Sequence, residues 1–521
     1  MLSSDLTSDL LNTVGGTSHA HGVWFSCPAV GDFVRIDLLM LRVAPETILR
    51  ERFGHEEFRG CQQAVIEQLL DGGHALVIMP TGGGKSLCFQ VPALVLAANE
   101  TSPKPLTLVI SPLIALMKDQ VDGLRQRGIE AVFVNSSLSR QEREQRYREL
   151  AEGRYALLYV TPERFRKADF LEVLAKRRVV LLAVDEAHCI SEWGHDFRPD
   201  YTRLGEIRKL LGNPTTAAFT ATATPDVQQD ILRQLNLPAE SVRLFHEGME
   251  RPNLDLRVCE VWGADEKQEM MQEVIEHWLA ESDGCGIVYF TLIRTLEDFS
   301  ERLQAEGFEH VCYHGDLERS VRRTVQDEFM QGRSRLVLAT NAFGMGVDRE
   351  NIRFVIHADV PGSLEGYVQE IGRAGRDGQP SECLLLYDQN DLNTQLEFIR
   401  WSNPDAEFCE RTWHLLVHNA DQVRAFGLEW LRERLCDRQR HDRRLETVLA
   451  LLERYGVLND EHDLTRMQLS GELPKELADA GHRADKLLRD QKRLYALVQY
   501  IRSEDRPGFL REYFGLQGSL R

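Results

Sequence analysis

The stretch Met79-Pro80-Thr81-Gly82-Gly83-Gly84-Lys85-Ser86 constrains the fold more than any other part of the chain. It follows an apolar run over 75–79 and leads into Leu-Cys-Phe-Gln-Val, a sequence with helix potential. A strand feeding a Gly-rich turn that opens a helix is the geometry of a phosphate-binding loop. Thr81, Gly82, Gly83, Gly84, Lys85 and Ser86 are therefore expected to hold a nucleotide. Backbone N–H groups converge on the phosphates, Lys85 reaches the β- and γ-phosphates, and Ser86 ligates Mg²⁺. The longer form of the pattern has Gly where Met79 stands, so the match is to its compact end. An ordinary strand–helix turn is the competing reading.

A second stretch argues against that reading. The apolar run 180–184 ends at Asp185-Glu186-Ala187-His188. Adjacent carboxylates at the C-terminal end of a buried strand sit where open α/β sheets hold ligands. Burying both without a cation is expensive. Asp185 is expected to position Mg²⁺ and Glu186 to orient or deprotonate an attacking water, with His188 counted in the same catalytic group. Together the two stretches imply hydrolysis of a nucleoside triphosphate.

A chain of 521 residues has room for three or four domains. With 43% hydrophobic and 27% charged residues the composition is that of a soluble globular protein. The ten cysteines are scattered singly, which fits a reducing compartment and argues against a thiolate zinc cluster. A net charge of -19 leaves a local basic cleft as the route to nucleic acid, with modest, salt-sensitive affinity.

In chain order, 1–39 reads as a disordered tail, or as the product of a start placed upstream of Met40. Residues 40–240 read as the nucleotide-binding α/β domain, with a helical pattern over 44–70. Strands are expected at 106–110, 131–134, 157–160, 180–184 and 217–219. Residues 241–398 read as a second α/β domain with strands at 286–290, 310–313, 336–339, 354–357 and 383–387. It has no phosphate loop but carries Gln369-Glu370-Ile371-Gly372-Arg373-Ala374-Gly375-Arg376. Two arginines three apart on a helical turn share a face and could clamp a triphosphate held by the other domain. A salt-bridged solvent face is the plainer alternative. Residues 399–521 read as helical, either winged-helix-like around Gly456 or a plain bundle. Over 483–521 there are nine Lys/Arg against five Asp/Glu, a weak nucleic-acid footprint or simply the charged face of a long helix.

These segments, with Phe58-Arg59 and Gln62, Ser111 to Gln120, Thr161-Pro162-Glu163-Arg164, Ser191 to Pro199, Thr220-Ala221-Thr222-Ala223, Tyr313-His314-Gly315-Asp316 and Ala339 to Asp348, resemble the RecQ family of superfamily 2 DNA helicases over roughly 45–400. The resemblance implies two tandem RecA-like lobes with parallel sheets, then a mainly helical region. It implies ATP and Mg²⁺ in the cleft and 3′ to 5′ movement on single-stranded or tailed duplex DNA. A place in repair, recombination and replication follows, in the cytoplasm at the nucleoid. By the same likeness His55, Arg59 and Gln62 contact adenine, Arg376 is the arginine finger and Arg373 a γ-phosphate contact. Ser191, Trp193, His195, Phe197 and Arg198 form the aromatic-rich loop coupling DNA to hydrolysis. Aromatic faces and an arginine suit stacked bases and phosphate, although Trp193 also reads as a buried core aromatic.

Three departures stand out. His55 replaces the usual adenine-stacking aromatic. Asp505 holds the place of the first cysteine of the family's zinc platform, so no zinc ligands are expected. The winged-helix and terminal helical nucleic-acid domains would lie beyond Arg521. A DNA-stimulated translocase with weak unwinding, or a non-catalytic DNA-binding scaffold, are the rival readings. The roles assigned to the glycine turn and the carboxylate pair predict that Lys85→Ala loses both nucleotide affinity and turnover, whereas Glu186→Gln loses turnover with Mg²⁺–ATP still bound. Equilibrium binding beside a phosphate-release assay separates the two, and equal loss of binding would refute the assignment.

Overall fold

A computed structural model describes residues 43–98, 103–191, 198–248, 251–344, 347, 349–436, 442–459 and 463–516. Before these, only the paths of three short strands are described, Ser18–His19, Gly22–Ser26 and Phe33–Ile36, paired antiparallel. The tail expected over 1–39 otherwise lies outside the described residues.

The first lobe is built on a seven-stranded sheet in which every pairing is parallel. In sheet order the strands are Val242–His246, His74–Ile78, Thr215–Thr220, Val179–Val184, Leu106–Ile110, Leu157–Val160 and Ala131–Val134. Leu106–Ile110, Leu157–Val160 and Ala131–Val134 are buried along their whole length because helices cover both faces. One face buries Leu108, Val160 and Leu182, the other Val77, Phe89 and Phe219. The helical pattern expected over 44–70 is interrupted. Pro45–Ile48 runs into a wide turn, Leu49–Phe53, that Gly54 ends in a left-handed conformation, and the helix resumes at Gln62–Leu70.

The second lobe is a six-stranded parallel sheet ordered Leu254–Glu260, Ser381–Tyr387, Ile352–His357, Cys285–Tyr289, Leu336–Ala339 and Val311–Tyr313. Val242–His246 and Leu254–Glu260 have no counterpart among the strands expected from sequence, and the first sheet runs on past the boundary placed at 240. Both are edge strands with one pairing partner, and their polar residues, Arg243, Asp255 and Arg257, break the apolar runs that mark central strands. The chain crosses between the sheets over 247–253. Glu247 N donates to Ile78 O at 3.1 Å on one side, and Ser381 N donates to Asn253 O at 2.9 Å on the other.

The region after 399 is helical and divides into two parts. Ala406–His418, Ala420–Leu435 and Arg444–Arg454 bury their own core, including Phe408, Leu416, Leu431 and Leu449, and a single antiparallel bridge joins Leu458 to Leu469. Arg166 of the first lobe grips Asp200 at 2.6 and 2.9 Å and donates to the carbonyl of Arg454 at 2.6 Å, docking this unit. The helices Ala480–Arg502 and Arg506–Tyr513 do something different. Their Leu497, Tyr500, Ile501 and Leu510, with Phe514 just beyond, complete the apolar core on one face of the second sheet. Asp505 caps the last helix, accepting from Gly508 N at 2.8 Å. Among the described residues no group of three or more His, Cys, Asp or Glu could hold a metal ion, and no helix is long and apolar enough to cross a membrane.

Because Leu497 is fully buried there, Leu497→Ala should cost about 2–5 kcal/mol. Leu488→Ala, on the exposed side of the same helix at 49% exposure, should stay within about 0.5 kcal/mol. Urea midpoints of the two variants check the pair.

Candidate active site between the lobes

The strand His74–Ile78 delivers the chain into the glycine turn, and Met79 N donates to Thr220 O at 3.1 Å, closing the strand end. Gly82 has φ 83°, a left-handed backbone, and a Cβ placed there would lie 3.2 Å from Cδ of Arg376. The left-handed turn calls for glycine, and a side chain there would also crowd Arg376 of the other lobe. Lys85 folds its ammonium back on the loop, donating to Met79 O at 3.1 Å and Pro80 O at 3.3 Å. Gln120 Nε2 donates to the Ser86 hydroxyl at 2.9 Å.

The carboxylates stand at the end of Val179–Val184, beside this loop. Burial, and then the neighbouring Glu186, push the Asp185 carboxyl up to about 7. Ser111 Oγ donates to Asp185 Oδ2 at 3.4 Å. Burial lowers the Lys85 amine; Glu186 and Asp185 oppose that shift and Arg376 adds to it. Glu186 has φ 48° and ψ 48°, a strained left-handed backbone for a residue with a Cβ, which marks a site held in place by its surroundings. His188 Nδ1 lies 3.4 Å from Glu186 Oε2 and 3.0 Å from Thr220 Oγ1.

Polar contacts continue from there to the second lobe. Thr220 Oγ1 donates to Thr222 O at 3.0 Å, and Thr222 Oγ1 accepts from Gln369 Nε2 at 3.3 Å. Gln369 sits on Leu364–Ile371, the helix that leads into the arginine turn. The arginines themselves do not share a helix face. The helix stops at Ile371, and Gly375 N donates to Ile352 O at 2.8 Å with φ 56°, which bends the chain between them. Arg373 is buried and donates to Gly344 O, while Arg376 lies against the phosphate loop at Gly82. The linker is tied to this turn as well: Arg251 Nη2 donates to the carbonyls of Ala374 and Gly375, each at 2.7 Å.

The residues expected around the base are placed unevenly. His55 and Arg59 are exposed, whereas Gln62 is buried. Gln62 Nε2 donates to Gly83 O at 3.0 Å and its Oε1 accepts from Arg59 N at 2.9 Å, so its amide braces the loop. Of the coupling loop, Ser191 donates to Asp230 Oδ2 at 2.6 Å and Arg198 Nη1 to Pro112 O at 3.3 Å. Trp193, His195 and Phe197 lie outside the described residues. Glu247 went unnoticed in the sequence. It follows an edge strand that apolar patterning does not mark, and its carboxylate accepts from Cys61 N at 2.7 Å beside the loop. Burial, and then Glu247, push the Cys61 thiol up to about 12.

With this geometry in place, comparison with known proteins is informative. Residues 59–231 match the DEAD/DEAH box helicase family and 266–378 the helicase conserved C-terminal domain. The chain is 43% identical over 345 residues to the ATP-dependent DNA helicase RecQ of Haemophilus influenzae, covering 66% of this chain and 53% of that protein. It is 40% identical over 354 residues to the RecQ helicase of Synechocystis, covering 67% of this chain and 72% of that protein. The chain thus spans about half the length of the Haemophilus relative. In fold it is similar to the solved structure of the helicase MrfA bound to DNA and AMPPNP, with a TM-score of 0.56, 16% identity, and coverage of 90% of this chain and 66% of that one.

The brace formed by Gln62 predicts how its loss will read out. Gln62→Ala should weaken binding of ATP and GTP alike, about three- to tenfold each, as a hydrogen bond of about 1 kcal/mol to the loop disappears. Titration with fluorescent adenine and guanine nucleotides measures this, and a loss confined to adenine would assign the amide to base reading instead.

Proposed function

The chain belongs to the RecQ family of superfamily 2 helicases, and we propose that it hydrolyses ATP to move 3′ to 5′ along one DNA strand and separate the duplex ahead. The observation that carries this reading is the seating of Arg376 on Gly82. It brings a cation of the second lobe against the loop that would hold the phosphates. Lys85 and the loop amides would bind the β- and γ-phosphates, Glu186 would align the water, and Arg376 would meet charge developing on the γ-phosphate. Hydrolysis then requires both lobes, which ties turnover to their closure.

A divalent cation fits the donor set. The Asp185 carboxyl, buried beside Glu186 and pushed up by both, is the group that a cation would relieve, with the Ser86 hydroxyl on the neighbouring loop. Mg²⁺ held there would neutralise phosphate charge during transfer. His55 and Arg59 would flank adenine. DNA would cross both lobes through backbone and stacking contacts, without sequence preference. Single-stranded and 3′-tailed duplex DNA are the proposed substrates, and the nucleoid, in repair and recombination, the proposed setting.

A strand-displacement assay on a 3′-tailed duplex, run beside ATPase with and without single-stranded DNA, tests the reading. Displacement with DNA-stimulated hydrolysis is expected. Stimulated hydrolysis without displacement would identify a translocase, and neither activity a scaffold.

Coupling predicts a separable defect. Trp193→Ala should leave basal ATPase and nucleotide affinity nearly intact while stimulation by DNA falls roughly tenfold, since a lost base stack is worth about 1–3 kcal/mol. If Trp193 is a core residue instead, the melt will show a loss of about 3–5 kcal/mol, and basal and stimulated rates will fall together.

A further inference from the structure

The helix Leu364–Ile371 aims the arginine turn, and much of what fixes it comes from far along the chain. Tyr367, near its middle, is fully buried. Its ring centre is 5.3 Å from that of Tyr500 on the helix Ala480–Arg502, and Tyr500 Oη donates to Tyr367 Oη at 3.3 Å. On the other side of Tyr367 the His357 ring lies at 4.9 Å, and Tyr289 stacks on His357 at 5.4 Å with 25° between planes. Tyr289 Oη in turn donates to Phe343 O at 2.9 Å, next to the carbonyl of Gly344 that Arg373 holds. The rings thus make a buried column from the C-terminal helix to the segment that anchors Arg373. Two further contacts hold the same helix: His357 Nε2 to Glu370 Oε2 at 2.8 Å, and Tyr513 Oη donating to Glu365 Oε1 at 2.9 Å.

We infer that Tyr500 is a positioning residue for hydrolysis, acting through Tyr367 and the ring column to hold Arg373 and Arg376 in register with the phosphate loop. Plain core filling would not need this construction. An aliphatic residue would fill the space, whereas a ring whose hydroxyl meets another hydroxyl fixes orientation as well as volume. The arginine turn has reason to need orientation. It lies beyond the end of its helix, held by single turn bonds such as Ala374 N to Ile371 O at 3.0 Å and Gly375 N to Ile352 O at 2.8 Å rather than by a continuing helical ladder. A guanidinium that acts on developing charge loses its effect with small displacements. The inference rests on the cleft being an ATPase site, and it adds that the helices after 480 belong functionally to that site.

The test uses the full chain with Tyr500→Leu, which keeps bulk but loses the ring, and Tyr500→Phe, which keeps the ring. Steady-state ATPase with single-stranded DNA is measured together with affinities for ADP and for ADP–aluminium fluoride, a mimic of the transferring phosphoryl group. Tyr500→Leu should lower kcat at least fivefold, with KM and ADP affinity within twofold, and should erase most of the preference for the mimic over ADP. Tyr500→Phe should restore at least half of kcat and of that preference. A core residue without a positioning role would leave the preference for the mimic unchanged, and that result in the leucine variant overturns the inference. So does a fall in ADP affinity in step with kcat. If Tyr500→Leu does not fold, Tyr513→Phe, which removes only the hydroxyl on Glu365, should show the same pattern with at least a twofold loss in kcat. An unchanged value there overturns it equally. An unmodified chain without ATPase activity would overturn the reading of the cleft as well, whereas an active one with an unaffected leucine variant would overturn the inference alone.

Discussion

Asp185 and Glu186 lie side by side at the end of a buried strand, and adjacent carboxylates in such surroundings repel strongly unless cations face them. Lys85 provides one positive charge from the same lobe, and Arg376 brings another across the cleft. Lys85 donates to backbone carbonyls of its own loop, and burial beside Glu186 holds the Asp185 carboxyl well above the usual carboxylate range. The site therefore holds its charges in partial compensation, which phosphate oxygens and a divalent cation could complete. Around that imbalance the fold is rigid: a seven-stranded sheet fixes the strand ends, and Gln62, Gln120 and Thr220 fix the loop and His188.

The second lobe is arranged to deliver charge to that point. Its sheet supports the helix that ends before the arginine turn, and Gln369 on the helix reaches Thr222 of the first lobe. Hydrogen bonds from His188 through Thr220 and Thr222 to Gln369 make one path from beside the Glu186 carboxylate to the opposite lobe. A change in the seating of either lobe alters the same few bonds.

Much of this was legible in the sequence where physics writes a local signature. Buried strands covered on both faces appear as uninterrupted apolar runs, and three of those in the first lobe end where the runs end. The glycine turn and the carboxylate pair declare themselves through residue types that are costly anywhere else. Edge strands do not, because half their side chains meet water, so Val242–His246 and Leu254–Glu260 were missed, and Glu247 with them. The sharing of one face by Arg373 and Arg376 was expected from helical spacing, and the left-handed Gly375 undoes it. Nor does spacing reveal that the residues after 480 close the core of a sheet completed a hundred positions earlier, since that packing is wholly non-local.

The connection between the sheets is short and pinned at both margins. Glu247 is bonded to the strand before the glycine turn, and Arg251 and Asn253 are bonded to the arginine turn. Both margins of the covalent joint therefore lie beside the candidate site. Rotation about an axle moves nearby atoms by fractions of an ångström and distant surfaces by much more. A turn of one lobe about that joint would displace its outer rim far more than the groups beside the glycine turn.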